Sequence, residues 1–143
     1  MRFFFYGTLM DGDVRAAVLG AAAERLVVRP GVLVGFRRVN APGRSWPVLV
    51  RAAGGCVDGV LAQDIDPPLA RALVRYEGAA YRLARCRVRI ASGTMVTASA
   101  FLPRKPPAGG RIWRHDAWLA RDKPAFLARL VGARAGGGWP TAA

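Results

Sequence analysis

The sequence predicts an α+β fold, a small mixed or antiparallel β-barrel flanked by two or three helices. Apolar and β-branched residues fall into several short runs that turn residues separate, which is typical of strands. Only two or three stretches carry a helical pattern, and they do not alternate regularly with the strands, so a doubly wound parallel sheet is not indicated. The 143 residues fit one domain with its own core. We expect this domain to span residues 1–131, followed by a flexible tail over residues 132–143.

In the first half of the chain, one helix is predicted among the strands. Asp13 is placed to cap a helix over residues 14–19. The longest strand is expected to break or bulge near Pro30-Gly31 and Gly35, and Gly54-Gly55 is a turn signal. The strands predicted in this half are 2–6, 27–39, 46–51 and 56–65.

The second half contains a helix, a hairpin and a further helical region. Pro67-Pro68 opens a short helix, since proline is tolerated in the first turn. Ser92-Gly93 is the turn of a hairpin whose strands are 83–90 and 95–102. Asp116 is placed to cap a helical region over residues 117–131, which Lys123-Pro124 interrupts.

The net charge of +13 raises the question of a nucleic-acid partner. Of the 22 basic residues 20 are arginine, and they are scattered along the chain. The one regular set, Arg85, Arg87 and Arg89, alternates with apolar residues, as in a strand with one solvated face. The pattern therefore favours a solvated surface, with only nonspecific binding to polyanions at low salt.

The N-terminal residues and the two cysteines allow predictions about the location of the protein and the redox state of its thiols. The apolar run after Arg2 is too short for a membrane span and has no signal-peptide pattern, which predicts a cytoplasmic protein without a membrane partner. Cys56 and Cys86 are too few and too far apart for a disulfide framework or a zinc site. Both are expected to be reduced thiols, with Cys86 in the core.

Several common chemistries have no support in the sequence. There is no phosphate-binding GxxxxGK[ST] loop and no GxGxxG turn, so nothing calls for a nucleotide. His115 is the only histidine, and no GxSxG elbow accompanies it, which argues against a Ser-His-Asp triad. Histidines, cysteines and carboxylates are too sparse for a metal site. We therefore expect neither metal nor cofactor, and carboxylates remain as candidate catalytic groups.

Only two glutamates occur, and their settings differ. Glu24 follows an alanine run at a predicted helix end, where a solvated surface residue is expected. Glu77 lies between Tyr76 and Gly78 in the segment "VRYEGAAYR". A carboxylate there is either a surface residue paired with a nearby arginine, or a partly desolvated group whose raised pKa suits a general acid or base.

Two motifs resemble the gamma-glutamylcyclotransferase-like family. The N-terminal "FFYGTL" resembles the family's YG[ST]L loop, and "YEGAAYRLARCRV" resembles its YEG..Y.R segment. "WPVLV" and "GCVDGVLAQDI" agree with two further strands of the family, and the similarity covers roughly residues 2–130. One departure is Val74, which replaces an acidic residue that family members often carry three positions before the glutamate. The resemblance implies a barrel with a pocket for a γ-glutamyl group.

The resemblance also implies roles for individual residues. Tyr6, Gly7, Thr8 and Leu9 would bind the substrate through backbone N–H groups, since glycine permits close approach of the main chain. Glu77 would be the catalytic acid and base. Tyr81 would line the pocket or hydrogen-bond the substrate, whereas Tyr76 is expected to pack, and Arg82 is one of the arginines that could attract an anionic substrate.

The reaction implied is a ring closure without cofactor. The substrate's α-amine attacks its γ-carbonyl, an amine or peptide leaves, and 5-oxoproline forms. Orientation alone supplies roughly 7 to 11 kcal/mol in well-oriented intramolecular cases. Glutathione, γ-glutamyl amino acids, γ-glutamyl-lysine and a γ-glutamyl-capped biosynthetic intermediate all remain open as substrates.

Two other functions stay open, and the oligomeric state is not predicted. A noncatalytic basic barrel would bind nucleic acid or another polyanion on an exposed aromatic and basic strand face. Phe36 before Arg37-Arg38 is too little to indicate such a face. A catalytically silent relative would keep the pocket without releasing the amine.

Overall fold

The computed structural model describes residues 1–135 of the chain. Its strands are β1 (Phe3–Phe5), β2 (Val27–Asn40), β3 (Pro47–Gln63), β4 (Tyr81–Arg89) and β5 (Met95–Pro103). Its α-helices are α1 (Gly12–Leu19), α2 (Pro67–Glu77), α3 (His115–Arg121) and α4 (Lys123–Ala135). Short 3-10 turns span Thr8–Met10 and Gly20–Arg25.

The five strands close into a barrel in the order β1-β3-β2-β4-β5. β1 is antiparallel to β3 but parallel to β5, where Phe3 pairs with Ser99. This one parallel contact makes the barrel mixed, and the predicted fold class is confirmed. Four α-helices occur within residues 1–135, more than the two or three predicted, because the predicted interruption at Lys123-Pro124 divides the last helical region into α3 and α4.

Helix α4 extends into the range 132–143, for which a flexible tail was predicted. The helix continues to Ala135. The rest of the predicted tail, residues 136–143, lies outside the described residues.

β2 and β3 form the longest antiparallel pair of the barrel. Their register shifts at Gly35, as predicted, whereas Pro30-Gly31 pairs without interruption. Gly35 alone faces residues 52–55, so Gly54-Gly55 lies in a bulge of a single strand. The prediction of two separate strands was wrong, because these glycines bend β3 without reversing it.

The run of aromatic residues in β1 is explained by burial on both faces of the strand. Phe3 and Phe5 pack into a core that includes helix residues such as Trp118. Phe4 and Tyr6 enter a second core made of strand residues inside the barrel. A strand buried on both sides carries a continuous apolar run rather than an alternating one.

The caps of two helices differ from the sequence prediction. Asp11, not Asp13, caps α1, and its Oδ1 accepts hydrogen bonds from the N–H groups of Asp13 (3.0 Å) and Val14 (3.1 Å). Asp116 lies inside the first turn of α3, which has no side-chain cap. Both predictions placed the cap inside the helix, because an aspartate in the first turn resembles a cap in sequence.

The surface predictions for β4 are confirmed. Arg85, Arg87 and Arg89 are exposed, whereas Cys86 and Val88 between them are buried. Both cysteines of the chain are free thiols. No helix within residues 1–135 is long and apolar enough to cross a membrane.

Candidate active site

A small cavity lies where β1, the loop after it and the end of α2 meet. Its volume is about 20 Å³, which is room for one water molecule. Five of the predicted site residues share this cavity: the loop Tyr6–Leu9 and Glu77. The residues that line it are Phe4, Phe5, Tyr6, Gly7, Thr8, Leu9, Pro47, Glu77 and Phe101.

Two arginines hold the loop by its carbonyl groups. Arg38 Nη1 donates to the carbonyl of Tyr6 at 2.9 Å. Arg15 Nη1 donates to the carbonyls of Leu9 (2.9 Å) and Met10 (2.8 Å). Burial lowers the pKa of both guanidinium groups, yet arginine stays charged in proteins. These hydrogen bonds point the loop carbonyls toward the two cations.

The remaining loop carbonyls are satisfied within the 3-10 turn. Met10 N–H donates to Gly7 O at 2.9 Å, and Asp11 N–H donates to Thr8 O at 3.1 Å. In contrast, the N–H groups of Gly7, Thr8 and Leu9 find no acceptor among residues 1–135. The loop that lines the cavity thus has free backbone donors and no free carbonyls, an arrangement suited to an anion or a developing oxyanion.

Gly7 is needed for close packing against Pro47. A Cβ at this position would lie 3.0 Å from Cγ of Pro47. The strand-start proline therefore fits against the loop only because position 7 has no side chain.

Glu77 is the last residue of α2, and the turn after it directs its side chain to the cavity. Gly78 ends the helix with φ of +83° and donates its N–H to Val74 O at 3.0 Å. The φ value favours glycine at this position. Val74, the residue that departs from the family pattern, is exposed and contributes only its carbonyl here.

The Glu77 side chain is buried without a cationic partner. It is 8% exposed, and no lysine or arginine of residues 1–135 forms an ion pair with it. Pairing with Arg75 or Arg82, the alternative that the sequence left open, is not observed. Burial raises the pKa of this carboxyl to about 8, because desolvation disfavours the charged form.

Three tyrosines lie close to the carboxyl group of Glu77. Tyr76 and Thr8 share a hydrogen bond of 2.9 Å between hydroxyls, so the expected packing residue also fastens the loop. Tyr6 donates its hydroxyl to Phe101 O at 2.5 Å. Burial and then the Glu77 charge raise the pKa of Tyr6, Tyr76 and Tyr81, which keeps all three phenols neutral donors.

The structure does not place Tyr81 in the lining of the cavity. Its side chain is buried in the same core cluster as Trp46, near enough to Glu77 for that charge to act on it. Its predicted contact with substrate stays a prediction. Arg82 is exposed and makes no ion pair with Glu77.

Sequence reasoning missed residues that complete the site. Pro47 and Phe101 line the cavity, and Arg15 and Arg38 hold the loop. Pro47 had a signal, since it belongs to the "WPVLV" stretch that matches the family. No sequence pattern distinguished Arg15 and Arg38, because the chain contains 20 arginines that are scattered along its length.

A metal centre is not formed in the part of the chain that the structure describes. No group of three or more histidine, cysteine, aspartate or glutamate side chains converges there.

Comparisons with known proteins agree with this architecture. The family model described as gamma-glutamyl cyclotransferase, AIG2-like, matches residues 3–120. None of the curated proteins matches the chain. Among solved structures, one of a protein from Arabidopsis thaliana has 21% identity and a TM-score of 0.68, covering 89% of this chain and 77% of that one.

Two further structures carry informative names. An AIG2-like protein from Mus musculus has 22% identity and a TM-score of 0.61, covering 75% of this chain and 79% of the mouse chain. A protein named gamma-glutamyl cyclotransferase has 15% identity and a TM-score of 0.63, covering 73% of this chain and 67% of that one. At these identities the likeness establishes a shared fold.

Proposed function

Since the chain belongs to the gamma-glutamyl cyclotransferase, AIG2-like family, we propose that it releases 5-oxoproline from a γ-glutamyl amine, amino acid or peptide. The substrate's α-amine attacks its own γ-carbonyl, and the amine on the other side of that carbonyl leaves. The reaction is an intramolecular acyl transfer that needs neither water nor a protein nucleophile. The cytoplasmic location expected from the sequence stays a prediction.

The observation that supports the proposal most strongly is the state of Glu77. Its carboxyl is buried, has no cationic partner among residues 1–135 and has a pKa of about 8. A general acid and base works best when its pKa lies near the working pH, because both forms are then accessible. A structural carboxylate at this burial would instead be paired.

Proton transfer through Glu77 balances the reaction. The ionised carboxylate takes one proton from the substrate's α-ammonium, which frees the lone pair for attack on the γ-carbon. The protonated carboxyl delivers this proton to the leaving nitrogen as the C–N bond breaks. The second surplus proton of the new lactam nitrogen follows the same route, so the leaving amine departs as an ammonium.

In this proposal the loop of Gly7, Thr8 and Leu9 binds negative charge on the substrate, while Glu77 transfers protons. Its free N–H groups would hold the oxyanion that develops on the γ-carbonyl or the substrate's α-carboxylate. Each such donor typically contributes about a hundredfold to a thousandfold when it acts on an oxyanion. Because the cavity of about 20 Å³ is smaller than a γ-glutamyl group, substrate binding must widen it.

Measuring 5-oxoproline release from a panel of γ-glutamyl compounds tests the proposal. The panel contains glutathione, γ-glutamyl amino acids and γ-glutamyl-lysine, assayed with wild type and with Glu77→Gln. We expect the substitution to lower kcat by roughly a hundredfold to ten-thousandfold, the usual contribution of a general acid or base. Glutamine keeps the size of the side chain, so binding is largely retained.

The matched control is Glu24→Gln, which alters the only other glutamate of the chain. Glu24 is exposed, and its substitution should leave turnover unchanged. Full activity of Glu77→Gln would remove Glu77 from the mechanism. Absence of turnover by wild type with every panel member would limit the family likeness to the fold.

A further inference from the structure

A second concave region, the arginine groove, lies beside the cavity. It is wide and lined by arginines, whereas the cavity is small and contains Glu77. Its volume is about 440 Å³, far larger than that of the cavity. The loop before β3 forms one wall, and the junction of α3 with α4 forms the other. Its defining side chains are Arg44, Trp46, Arg121, Asp122, Phe126 and Arg129.

The arginine groove combines a rigid aromatic floor with unpaired cations. Trp46 and Phe126 are buried and meet edge to face, with ring centroids 6.2 Å apart. Arg44, Arg121 and Arg129 are exposed on its walls, and none of them forms an ion pair with a carboxylate of residues 1–135. With Asp122 as the one acidic side chain of the lining, the groove carries an excess of two positive charges.

One arginine of the groove is held in place by the floor. The Arg44 guanidinium lies over the Trp46 ring, 5.3 Å from its centroid. Stacking of this kind leaves the edge of the guanidinium, with its N–H donors, free to bind a carboxylate in a forked geometry. An anion that enters the groove therefore meets donors that are already oriented.

Consecutive residues join the groove to the cavity. Trp46 forms the floor of the groove, whereas Pro47 lines the cavity against Gly7. Tyr81 shares the core cluster of Trp46 and lies close enough to both Glu77 and Arg44 for their charges to act on its hydroxyl. The residue that lines the groove and the residue that lines the cavity are thus neighbours in the chain, which places the two regions next to each other at the start of β3.

We propose that the arginine groove binds the leaving-group half of the substrate and selects γ-glutamyl amino acids or peptides whose leaving group carries a carboxylate. This inference rests on the proposed cyclotransferase function. A γ-glutamyl compound divides at the scissile amide into a small zwitterionic half and a leaving half of variable size. The cavity, once widened, would hold the constant half beside Glu77, and the wide cationic groove suits an anionic variable half.

A matched pair of substrates isolates the charge that the groove recognises. γ-Glutamyl-alanine and γ-glutamyl-alaninamide differ only in the carboxylate of the leaving group. We expect wild type to favour the carboxylate substrate by about tenfold in kcat/KM, since each of several partly exposed ion pairs contributes modestly. High salt should reduce this preference because it screens exposed charges.

Substitutions in the arginine groove test whether the preference for the carboxylate substrate arises there. Arg44→Gln and Arg129→Gln should each lower the ratio of the two kcat/KM values by about three- to fivefold. Arg44→Lys should retain part of the preference, because charge remains while the fork is lost. Arg87→Gln is the matched control: it removes an equally exposed arginine from β4, outside the groove, and should leave the ratio unchanged.

The outcomes separate this inference from the function on which it rests. If wild type turns over neither substrate, the cyclotransferase proposal fails and this inference fails with it. If wild type turns over both with equal kcat/KM, the function stands and the groove inference is overturned. An equal loss of preference in Arg87→Gln also overturns it, because the preference would then come from the total charge of the protein.

Discussion

Asp11 and Glu77 are two carboxylates of nearly equal burial whose surroundings differ completely. Their exposed fractions are 7% and 8%. Asp11 accepts hydrogen bonds from two N–H groups at the start of α1 and lies 2.8 Å from the ammonium of Lys123. Glu77 has no ion pair within residues 1–135 and has a pKa of about 8.

Burial alone does not distinguish a carboxylate with a raised pKa from a structural one. Burial costs free energy for either side chain, but hydrogen bonds and a cation offset that cost for Asp11. For Glu77 the cost remains and appears as a raised pKa. Asp11 is therefore a structural group that joins α1 to α4, whereas Glu77 is destabilising when ionised and available for proton transfer.

The largest expected effect concerns stability at high pH. The folded-state pKa of Glu77, about 8, lies above its ordinary value of 4.5. The folded state therefore holds a proton that the unfolded state has lost, so stability falls as pH rises from 4.5 through 8. Glu77→Gln avoids this loss and should be more stable than wild type at pH 9 by up to roughly 5 kcal/mol.

Urea unfolding of both proteins at pH 5 and pH 9 would measure this difference. Glu24→Gln, which alters the exposed glutamate, should follow wild type at both pH values. Parallel pH profiles of wild type and Glu77→Gln would show that Glu77 ionises in the folded state as easily as in solution, and the contrast with Asp11 would disappear.

The second effect is the pH dependence of turnover. If ionised Glu77 is the base, kcat/KM should rise with pH and level off above about 8, which corresponds to about fiftyfold between pH 6 and pH 8. The ionisation of each γ-glutamyl substrate is titrated separately, so that its contribution can be subtracted. If kcat/KM instead reached its plateau with an apparent pKa of about 4 to 5, the Glu77 carboxyl would be solvated in the working enzyme.

The third effect tests the structural role of Asp11. Asp11→Ala leaves the N–H groups of Asp13 and Val14 without their acceptor and should lower the free energy of unfolding by about 1 to 2 kcal/mol. Asp13→Ala removes an exposed partner of Lys123 and should cost less than about 1 kcal/mol. A larger loss for Asp13→Ala would place the anchor of α1 at position 13 instead.

The smallest effect concerns the loop that precedes Asp11 and lines the cavity with Glu77. In Gly7→Ala the new methyl group would lie 3.0 Å from Pro47, and we expect a cost of about 1 kcal/mol in thermal or chemical unfolding. Gly12→Ala is the control, since the nearest atom there is a flexible Arg15 nitrogen at 3.6 Å. Equal stability of the two variants would mean that Pro47 moves aside freely.

The fold class, most of the strands and the two motifs of the family can be predicted from the sequence alone. Local patterns encode these features, because strand period, glycine turns and the order of motifs can be read along the chain. The apolar run of β1 indicated a buried strand, and "YEG" placed Glu77 between an apolar helix and a glycine. Roles assigned from the motifs to Tyr6 through Leu9, Glu77 and Tyr81 remain predictions.

The surroundings of those residues, in contrast, depend on how the chain packs in three dimensions. Gly54-Gly55 became a bulge because Gly35 on the facing strand leaves four residues without partners. Glu77 has a raised pKa because it is buried without an arginine partner among residues 1–135, although arginines flank it at positions 75 and 82. The desolvation that raises its pKa comes from residues distant in sequence, and no local pattern specifies how such residues meet in space.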